Sequence, residues 1–148
     1  MDVLTLLKDE HDEAKGLFQK LEKAEGKTAQ ALWDDLSSRL SLHEEMEETY
    51  FYPELKKAET TEDIVLEGYQ EHHVMDVLIE EINGLQPSAE EWQPKIKVLK
   101  ENTEHHIEEE EGELFPKVRK IWDAARRKQV GEQMQTMKEG RRKPQRAA

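Results

Sequence analysis

His43-Glu-Glu-Met-Glu47-Glu48, with Pro53 five residues later, is repeated as His106-Ile-Glu-Glu-Glu110-Glu111, with Pro116 five residues later. The histidine, the glutamate four positions after it and the proline all recur at one common displacement along the chain. Side chains four positions apart are neighbours on one face of an α-helix. The repeat therefore predicts two similar helices, each presenting a histidine and a glutamate on the same face.

A second, weaker repeat precedes each of these stretches. Glu10-His11 is followed by Leu17-Phe18, and Glu71-His72 is followed at the same spacing by Leu78-Ile79. Helical spacing puts His11 on an apolar stripe with Leu4, Leu7, Ala14, Phe18 and Leu21. It puts His72 on a stripe with Val65, Met75, Ile79 and Ile82. His73 and His105 lie off the stripes, and we expect them to be exposed or to contact the inward residues from outside.

The chain shows helical spacing throughout and lacks the sustained alternation typical of strands. The first predicted helix covers residues 2–25 and is stopped by Gly26, and the second covers residues 28–53, where Pro53 ends or kinks it. The third begins after the capping signature Thr60-Thr61-Glu62-Asp63 and stops at Asn83-Gly84. The fourth runs from between Ser88 and Pro94 to Pro116, and a basic helix covers about residues 118–138. Long helices with short connections indicate an all-α, up-down-up-down four-helix bundle with an additional C-terminal helix. We expect one domain over residues 1–137 and a basic, disordered tail over residues 138–148.

Composition limits the classes of function. Residues 1–116 contain 11 basic and 31 acidic residues, a net charge of −20, and residues 117–148 carry +8. The acidic body disfavours nucleic-acid binding, because phosphate is repelled. The absence of cysteine excludes disulfides, iron–sulfur clusters and cysteine-type zinc sites. No apolar run approaches the roughly 20 residues of a membrane span, so we expect a cytoplasmic protein, a monomer or weak oligomer, without a membrane partner.

The inward histidines and glutamates predict a metal site. Imidazoles and carboxylates are costly to bury without partners, and a pair of cations would compensate all of them together. Carboxylate oxygens with imidazole nitrogens suit iron or manganese, and zinc is compatible as well. The candidate metal ligands are His11, His43, Glu47, His72, His106 and Glu110.

The order His, His-x-x-x-Glu, His, His-x-x-x-Glu resembles the hemerythrin-like, HHE cation-binding family. The resemblance covers roughly residues 1–120 and is most specific in the two His-x-x-x-Glu stretches. It implies a four-helix bundle with a non-haem di-iron centre and an oxo, hydroxo or water bridge. His11 and His43 would then hold one iron and His72 and His106 the other. Glu47 and Glu110 would bridge the two irons.

One position departs from the oxygen-carrying members of that family, which have another histidine one turn after the ligand on the third helix. Asp76 occupies this position here. Both irons would then keep an open position unless Asp76 or Tyr50 fills it. Open positions on both metals favour reaction with oxygen, peroxide or nitric oxide over reversible oxygen carriage. Tyr50 is predicted to pack in the core or, alternatively, to bind metal.

Three functions follow as hypotheses. The first is a di-iron protein that binds oxygen, peroxide or nitric oxide in oxygen or redox response or in peroxide detoxification. It leaves open a weak catalase- or peroxidase-like activity and does not identify the electron donor. The second is an iron-handling or sensing module whose folding depends on metal occupancy. The third is a structural bundle that makes contacts through its tail. Glu48 and Glu111 either belong to a solvated face or orient the ligands from outside.

Overall fold

The computed structural model describes the backbone of residues 1–147 and the side chains of residues 1–141. Its α-helices are α1 (Val3–Glu22), α2 (Gly26–Met46), α3 (Tyr52–Lys56), α4 (Glu62–Asn83), α5 (Trp92–Glu109), α6 (Phe115–Ile121) and α7 (Ala124–Ala147). Two π-helical segments, Glu47–Phe51 and Glu110–Leu114, join α2 to α3 and α5 to α6. The prediction of an all-α bundle with an additional C-terminal helix is confirmed.

The helix ends differ in places from the sequence predictions. Asp2 caps α1, because its Oδ1 accepts the N–H of Leu4 at 2.8 Å. Gly26, predicted to end the first helix, begins α2 with a φ of 56°, which suits glycine. Thr61, predicted to help cap the third helix, instead donates its hydroxyl to the carbonyl of Leu55 at 2.5 Å. The Thr61 side chain therefore stabilises the turn before α4 and does not cap the helix.

The two repeated prolines lie beyond the points where α2 and α5 end, although Pro53 was predicted to end or kink its helix and the fourth helix was predicted to reach Pro116. In the first repeat, the N–H of Tyr52 donates to the carbonyl of Glu47, five residues earlier. In the second, the N–H of Phe115 donates to the carbonyl of Glu110. Each π segment thus begins at the repeated glutamate and ends just before the proline, which follows in the first turn of a new α-helix. Proline is tolerated there because a first-turn N–H has no partner within its helix.

The C-terminal helix begins later than predicted and continues further. Val118, its expected start, lies in α6, and α7 begins at Ala124. α7 packs along α1 at Gly131, where a Cβ would come within 1.9 Å of the Met1 carbonyl oxygen. It passes the predicted domain boundary at residue 138, and Lys138 contacts α1. The segment predicted to be a disordered tail, residues 138–148, is described as the end of α7 up to Ala147, and only Ala148 and the side chains from residue 142 lie outside the described part of the chain.

The core consists of two apolar clusters at opposite ends of the bundle. One lies beside α7 and contains Val3, Leu4, Leu6, Leu7, Met46, Phe51, Tyr52, Leu55, Val65, Leu114, Phe115, Val118, Val130 and Met134. The other contains Ala14, Phe18, Leu21, Ala29, Trp33, Leu36, Leu40, Met75, Ile79, Ile82, Trp92, Ile96 and Leu99. Between them lies a buried polar layer. None of the helices over residues 1–147 has the length and hydropathy of a membrane span.

Candidate metal centre

The buried polar layer contains all six predicted ligand residues. They form two groups of four, each with its donor atoms within 4.8 Å of one another. The first group is His11, His43, Glu47 and Glu110, and the second is His72, His106, Glu47 and Glu110. Both glutamates belong to both groups, and each is at most 2% exposed. The structure therefore brings the predicted residues together in the predicted pairing, and their binding of metal remains a prediction.

The four histidines are held in the same way, with Nε2 inward and Nδ1 outward. Nδ1 of His43 lies 2.8 Å from Glu10, and Nδ1 of His106 lies 2.6 Å from Glu71. A carboxylate can only accept, so each Nδ1 carries the proton and donates. This arrangement points Nε2 into the layer and fixes the orientation of the ring, so Nε2 is the atom that a metal would bind after displacing its proton.

The remaining two histidines use the glutamates that follow the bridging positions. Nδ1 of His11 lies 2.7 Å from Glu111, and Nδ1 of His72 lies 2.9 Å from Glu48. Of the two alternatives for Glu48 and Glu111, the contacts confirm that they orient the histidines rather than belong only to a solvated face. Glu10 and Glu71 were not identified from the sequence, although the repeat contains the signal. Each directly precedes an inward histidine, so that the pair Glu10-His11 recurs as Glu71-His72.

The two groups differ in the partners of their inward atoms. Four buried side-chain atoms near the first group have no hydrogen-bond partner: His11 Nε2, His43 Nε2, Glu47 Oε2 and Glu110 Oε1. In the second group, the Tyr52 hydroxyl donates to Glu110 Oε2 at 2.5 Å. It also lies 3.4 Å from Glu47 Oε1 and within 3.5 Å of Nε2 of both histidines, His72 and His106.

Tyr52 was missed by the sequence analysis, which considered Tyr50 instead. On an uninterrupted α-helix, Tyr50 would share a face with Glu47. The π segment adds a residue to this turn and carries Tyr52 onto that face. Tyr50 is half-buried and packs against the apolar cluster beside α7. Asp76, the other residue considered, is exposed and contacts Glu44 instead of either group.

Phe115 is the counterpart of Tyr52 in the second half of the repeat. Phe115 stacks on His11 with ring centroids 6.2 Å apart, and Tyr52 stacks on His72 with centroids 5.3 Å apart. Only Tyr52 carries a hydroxyl. The repeat therefore places an aromatic ring against one histidine of each group, but only the second group receives a hydroxyl from that ring.

The charges of the site compensate each other in pairs. Burial alone lowers the pKa of His43, but Glu47 and Glu10 outweigh it and raise that pKa to about 10. Burial alone would raise the pKa of Glu47, yet the surrounding histidines bring it well below its usual value. Burial and the nearby carboxylates keep the pKa of Tyr52 well above its usual value, so its hydroxyl stays protonated. Protons on His43 and His106, whose pKa values are raised, thus help to balance the bridging carboxylates, and a cation could replace them.

A cavity of about 360 Å³ leads from the site to the surface. Its inner wall includes all four histidines, with Leu40, Met75 and Ile107 as apolar wall residues. Its mouth lies under α7, where Lys138 Nζ contacts Glu10 at 2.9 Å and Arg141 contacts Glu45. Both groups therefore have a route to solvent for a small molecule.

A third group of possible metal ligands lies outside the polar layer. It consists of Glu71, His105 and Glu109, again with donor atoms within 4.8 Å of one another. Partial burial and the hydrogen bond shared with Glu71 raise the pKa of Glu109 to about 7. His105 is 63% exposed, in agreement with its predicted position off the apolar stripe, and His73 is exposed as well.

These features define a histidine- and carboxylate-rich helical bundle suited to binding cations. The family model described as Hemerythrin HHE cation binding domain matches residues 2–118. The chain therefore belongs to the hemerythrin HHE cation-binding domain family.

Two known proteins show how far the similarity extends. A hemerythrin HHE cation binding domain-containing protein from Mycobacterium kansasii has a crystal structure that matches with a TM-score of 0.82. The match covers 94% of this chain and 86% of that one at 24% identity, and it supports the fold. A DNA nickase from Nostoc sp. is 27% identical over 120 residues. This stretch is 80% of the present chain and only 34% of the nickase, so the chain spans about a third of that relative.

Proposed function

We propose that the protein is a non-haem di-iron protein that binds oxygen, peroxide or nitric oxide. His11 and His43 would hold one iron, His72 and His106 the other, and Glu47 and Glu110 would bridge both. The observation that carries the proposal is the set of four buried, unpartnered nitrogen and oxygen atoms beside the first group. Unpartnered buried polar atoms are costly, and iron accepts both donor types.

The iron pair would supply redox chemistry and coordination of the small ligand. The chain supplies the orientation of the donors. Because each outer carboxylate retains the Nδ1 proton of its histidine, Nε2 is the nitrogen that would give up its proton and bind the metal. The apolar clusters shield the two ends of the layer from water, which strengthens its electrostatic interactions.

We further propose that the small ligand binds beside His11 and His43. Tyr52 places its hydroxyl in the other group, where it contacts both glutamates. Phe115 offers no polar atom at the equivalent place. The cavity reaches the histidines of both groups, so the preference for the first group rests on this difference between Tyr52 and Phe115. The two positions would therefore differ in reactivity although they have equivalent donors.

Metal content per chain, measured together with the ultraviolet–visible spectrum in air, tests the di-iron proposal. We expect about two irons per chain and an absorption that changes on addition of peroxide or nitric oxide. His43→Ala should lose iron, whereas His73→Ala, which removes an exposed histidine, should retain it. Protein that purifies without metal, or iron-loaded protein whose spectrum ignores all three ligands, would overturn the proposal.

Reciprocal aromatic variants test the position of the ligand. Phe115→Tyr adds a hydroxyl beside His11 and should slow the spectral response to peroxide. Tyr52→Phe removes the hydroxyl from the other group and should leave the response at least as fast. Equal slowing by both variants would contradict binding at the His11 and His43 position while leaving the iron content, and hence the di-iron proposal, intact.

The buried donors also support a second candidate function, an iron-handling or sensing module. Without a cation, the charge balance of the polar layer depends on protons on His43 and His106, so loss of metal should loosen the bundle. Thermal unfolding of metal-free and iron-loaded protein measures this dependence. A metal-free form as heat-stable as the loaded form would count against the sensor and leave the ligand-binding function untouched. DNA cleavage is not proposed, because residues 1–116 carry a net charge of −20.

A further inference from the structure

The outer group of Glu71, His105 and Glu109 is not required by the inner layer. In the first half of the repeat, Glu10 performs the task of Glu71, because it holds His43 as Glu71 holds His106. The counterparts of His105 and Glu109 in that half are Leu42 and Met46, which offer no charge. Orientation of an inward histidine therefore needs the one glutamate, and the two extra residues require a different explanation.

The second oxygen of each orienting glutamate has different partners in the two halves, and Glu71 shares a hydrogen bond with Glu109. Glu10 Oε2 lies 2.9 Å from the ammonium group of Lys138, so a cation neutralises it. Glu71 Oε2 has no lysine or arginine partner among the described side chains. It lies 3.8 Å from His105 Nε2, which in turn lies 2.9 Å from Glu109. One half of the repeat thus places a lysine at this point, and the other half places an imidazole and a second carboxylate.

We propose that Glu71, His105 and Glu109 bind a divalent cation outside the inner metal centre. One imidazole nitrogen and two carboxylate oxygens are a donor set that Zn²⁺, Mn²⁺ and Fe²⁺ all accept. His105 and Glu109 are four residues apart on α5 and face Glu71 on α4, so both helices contribute. The cation would occupy the place that the Lys138 ammonium group takes in the first half.

The outer cation would be linked to the inner centre through the carboxylate of Glu71. Glu71 Oε1 holds His106 Nδ1 at 2.6 Å, and Glu71 Oε2 faces the outer group. A single carboxylate therefore connects the two sites, and a change of occupancy outside changes the charge beside an inner histidine. His105 is exposed enough for a cation to bind from solvent without opening the bundle.

The experiment is a titration of the full chain with Zn²⁺ alone, followed by equilibrium dialysis and metal analysis of zinc and iron on the same sample. Wild-type protein should bind one more zinc per chain than the double variant His105→Leu/Glu109→Met, which installs the residues of the first half. His105→Asn, a milder change at an exposed position, should weaken that zinc at least tenfold. His73→Leu serves as the control and should leave zinc binding unchanged.

The two metal proposals fail in distinguishable ways. Iron content reports the inner centre, whereas the difference of one zinc between wild type and the double variant reports the outer site, whatever the inner centre contains. Equal zinc binding by wild type, His105→Asn and the double variant would overturn the outer site. Loss of one zinc in His73→Leu would overturn it as well, since the zinc would then lie elsewhere.

Discussion

Gly68 on α4 is the position where a single methyl group would displace Tyr52 from the candidate metal centre. A Cβ at residue 68 would lie 2.8 Å from the Tyr52 hydroxyl oxygen and 3.1 Å from Cζ. The ring cannot retreat freely, because its hydroxyl is hydrogen-bonded to Glu110 on the far side. Gly16 on α1 is the matched control, since a Cβ there meets nothing within 4 Å.

The expected magnitude follows from two opposing effects. Replacement of a mid-helix glycine by alanine gains about 0.5–1 kcal/mol from reduced backbone entropy. Gly16→Ala should show this gain in full. Gly68→Ala gains the same but adds an overpacking cost of about 1–3 kcal/mol. We therefore expect Gly68→Ala to be less stable than Gly16→Ala by about 2 kcal/mol, a difference of about 4–8 °C in Tm.

Urea unfolding of both variants, with iron loading and spectra recorded in parallel, measures the two consequences. Gly68→Ala should alter the spectrum of the loaded centre, and Gly16→Ala should not. Adding Tyr52→Phe to Gly68→Ala removes the atom closest to the new methyl group, so the double-mutant cycle should show a favourable coupling of about 1 kcal/mol. If Gly68→Ala is as stabilising as Gly16→Ala, the packing of Tyr52 between Gly68 and Glu110 is refuted.

Three further variants or titrations test other parts of the molecule. Burial and the hydrogen bond to Asp76 raise the pKa of Glu44 to about 10. The protonated side chain therefore makes its full contribution to the free energy of unfolding below pH 4.5, and this contribution is lost as the pH rises towards 10. Glu44→Gln should therefore exceed wild type in free energy of unfolding at pH 8, with a gap that widens by up to about 1.4 kcal/mol per pH unit. A difference in unfolding free energy between Glu44→Gln and wild type that does not change with pH would contradict the raised pKa of Glu44. Asn83 accepts the indole N–H of the fully buried Trp33 at 2.8 Å, and Asn83→Ala should cost about 1–3 kcal/mol in urea unfolding followed by tryptophan fluorescence. A loss below about 0.5 kcal/mol would show that the indole finds another partner. Because the pKa of His43 is about 10 in the metal-free site, metal binding at pH 7 should release protons that an indicator dye detects, and metal affinity should fall as the pH falls. Binding without proton release would show that the metal-free histidines are already neutral.

The fold and the inward residues could be predicted from the sequence because both depend on helical periodicity. The register that aligns Glu47 with Glu110 distinguished His106 from His105, and the register that aligns Phe18 with Ile79 distinguished His72 from His73. Periodicity also located the four bundle segments, since each has an apolar stripe. Their ends were less predictable. The proline of the first repeat, predicted to end or kink a helix, lies in the first turn of α3.

Tyr52 could not be predicted because a π turn changes the register of every residue after it. The sequence rule assumed 3.6 residues per turn throughout and therefore selected Tyr50. The inserted residue is visible only in the backbone, where the N–H of Tyr52 reaches the carbonyl of Glu47. The coincidence of both π segments with a repeated glutamate gives a reason for their position, because the wider turn aims the glutamate and the following aromatic ring at the same point.

Departures from the repeat separate what binds a cation from what would determine its reactivity. The inward histidines and glutamates obey the repeat, as do the four outer carboxylates that orient the histidines. Two equivalent halves of this kind would give two equivalent metal positions. The departures lie immediately around that layer. Phe115 stands at the position that corresponds to Tyr52, and the lysine contact of Glu10 is replaced by the outer group at Glu71.

Each departure changes a partner of the inner layer without removing a donor from it. A variant that restores symmetry, such as Phe115→Tyr, should therefore change ligand reactivity at unchanged iron content. A variant that breaks the repeat itself, such as His43→Ala, should lose iron. If Phe115→Tyr loses iron as readily as His43→Ala, binding and reactivity are not separable in this bundle, and the asymmetry between Tyr52 and Phe115 serves packing alone.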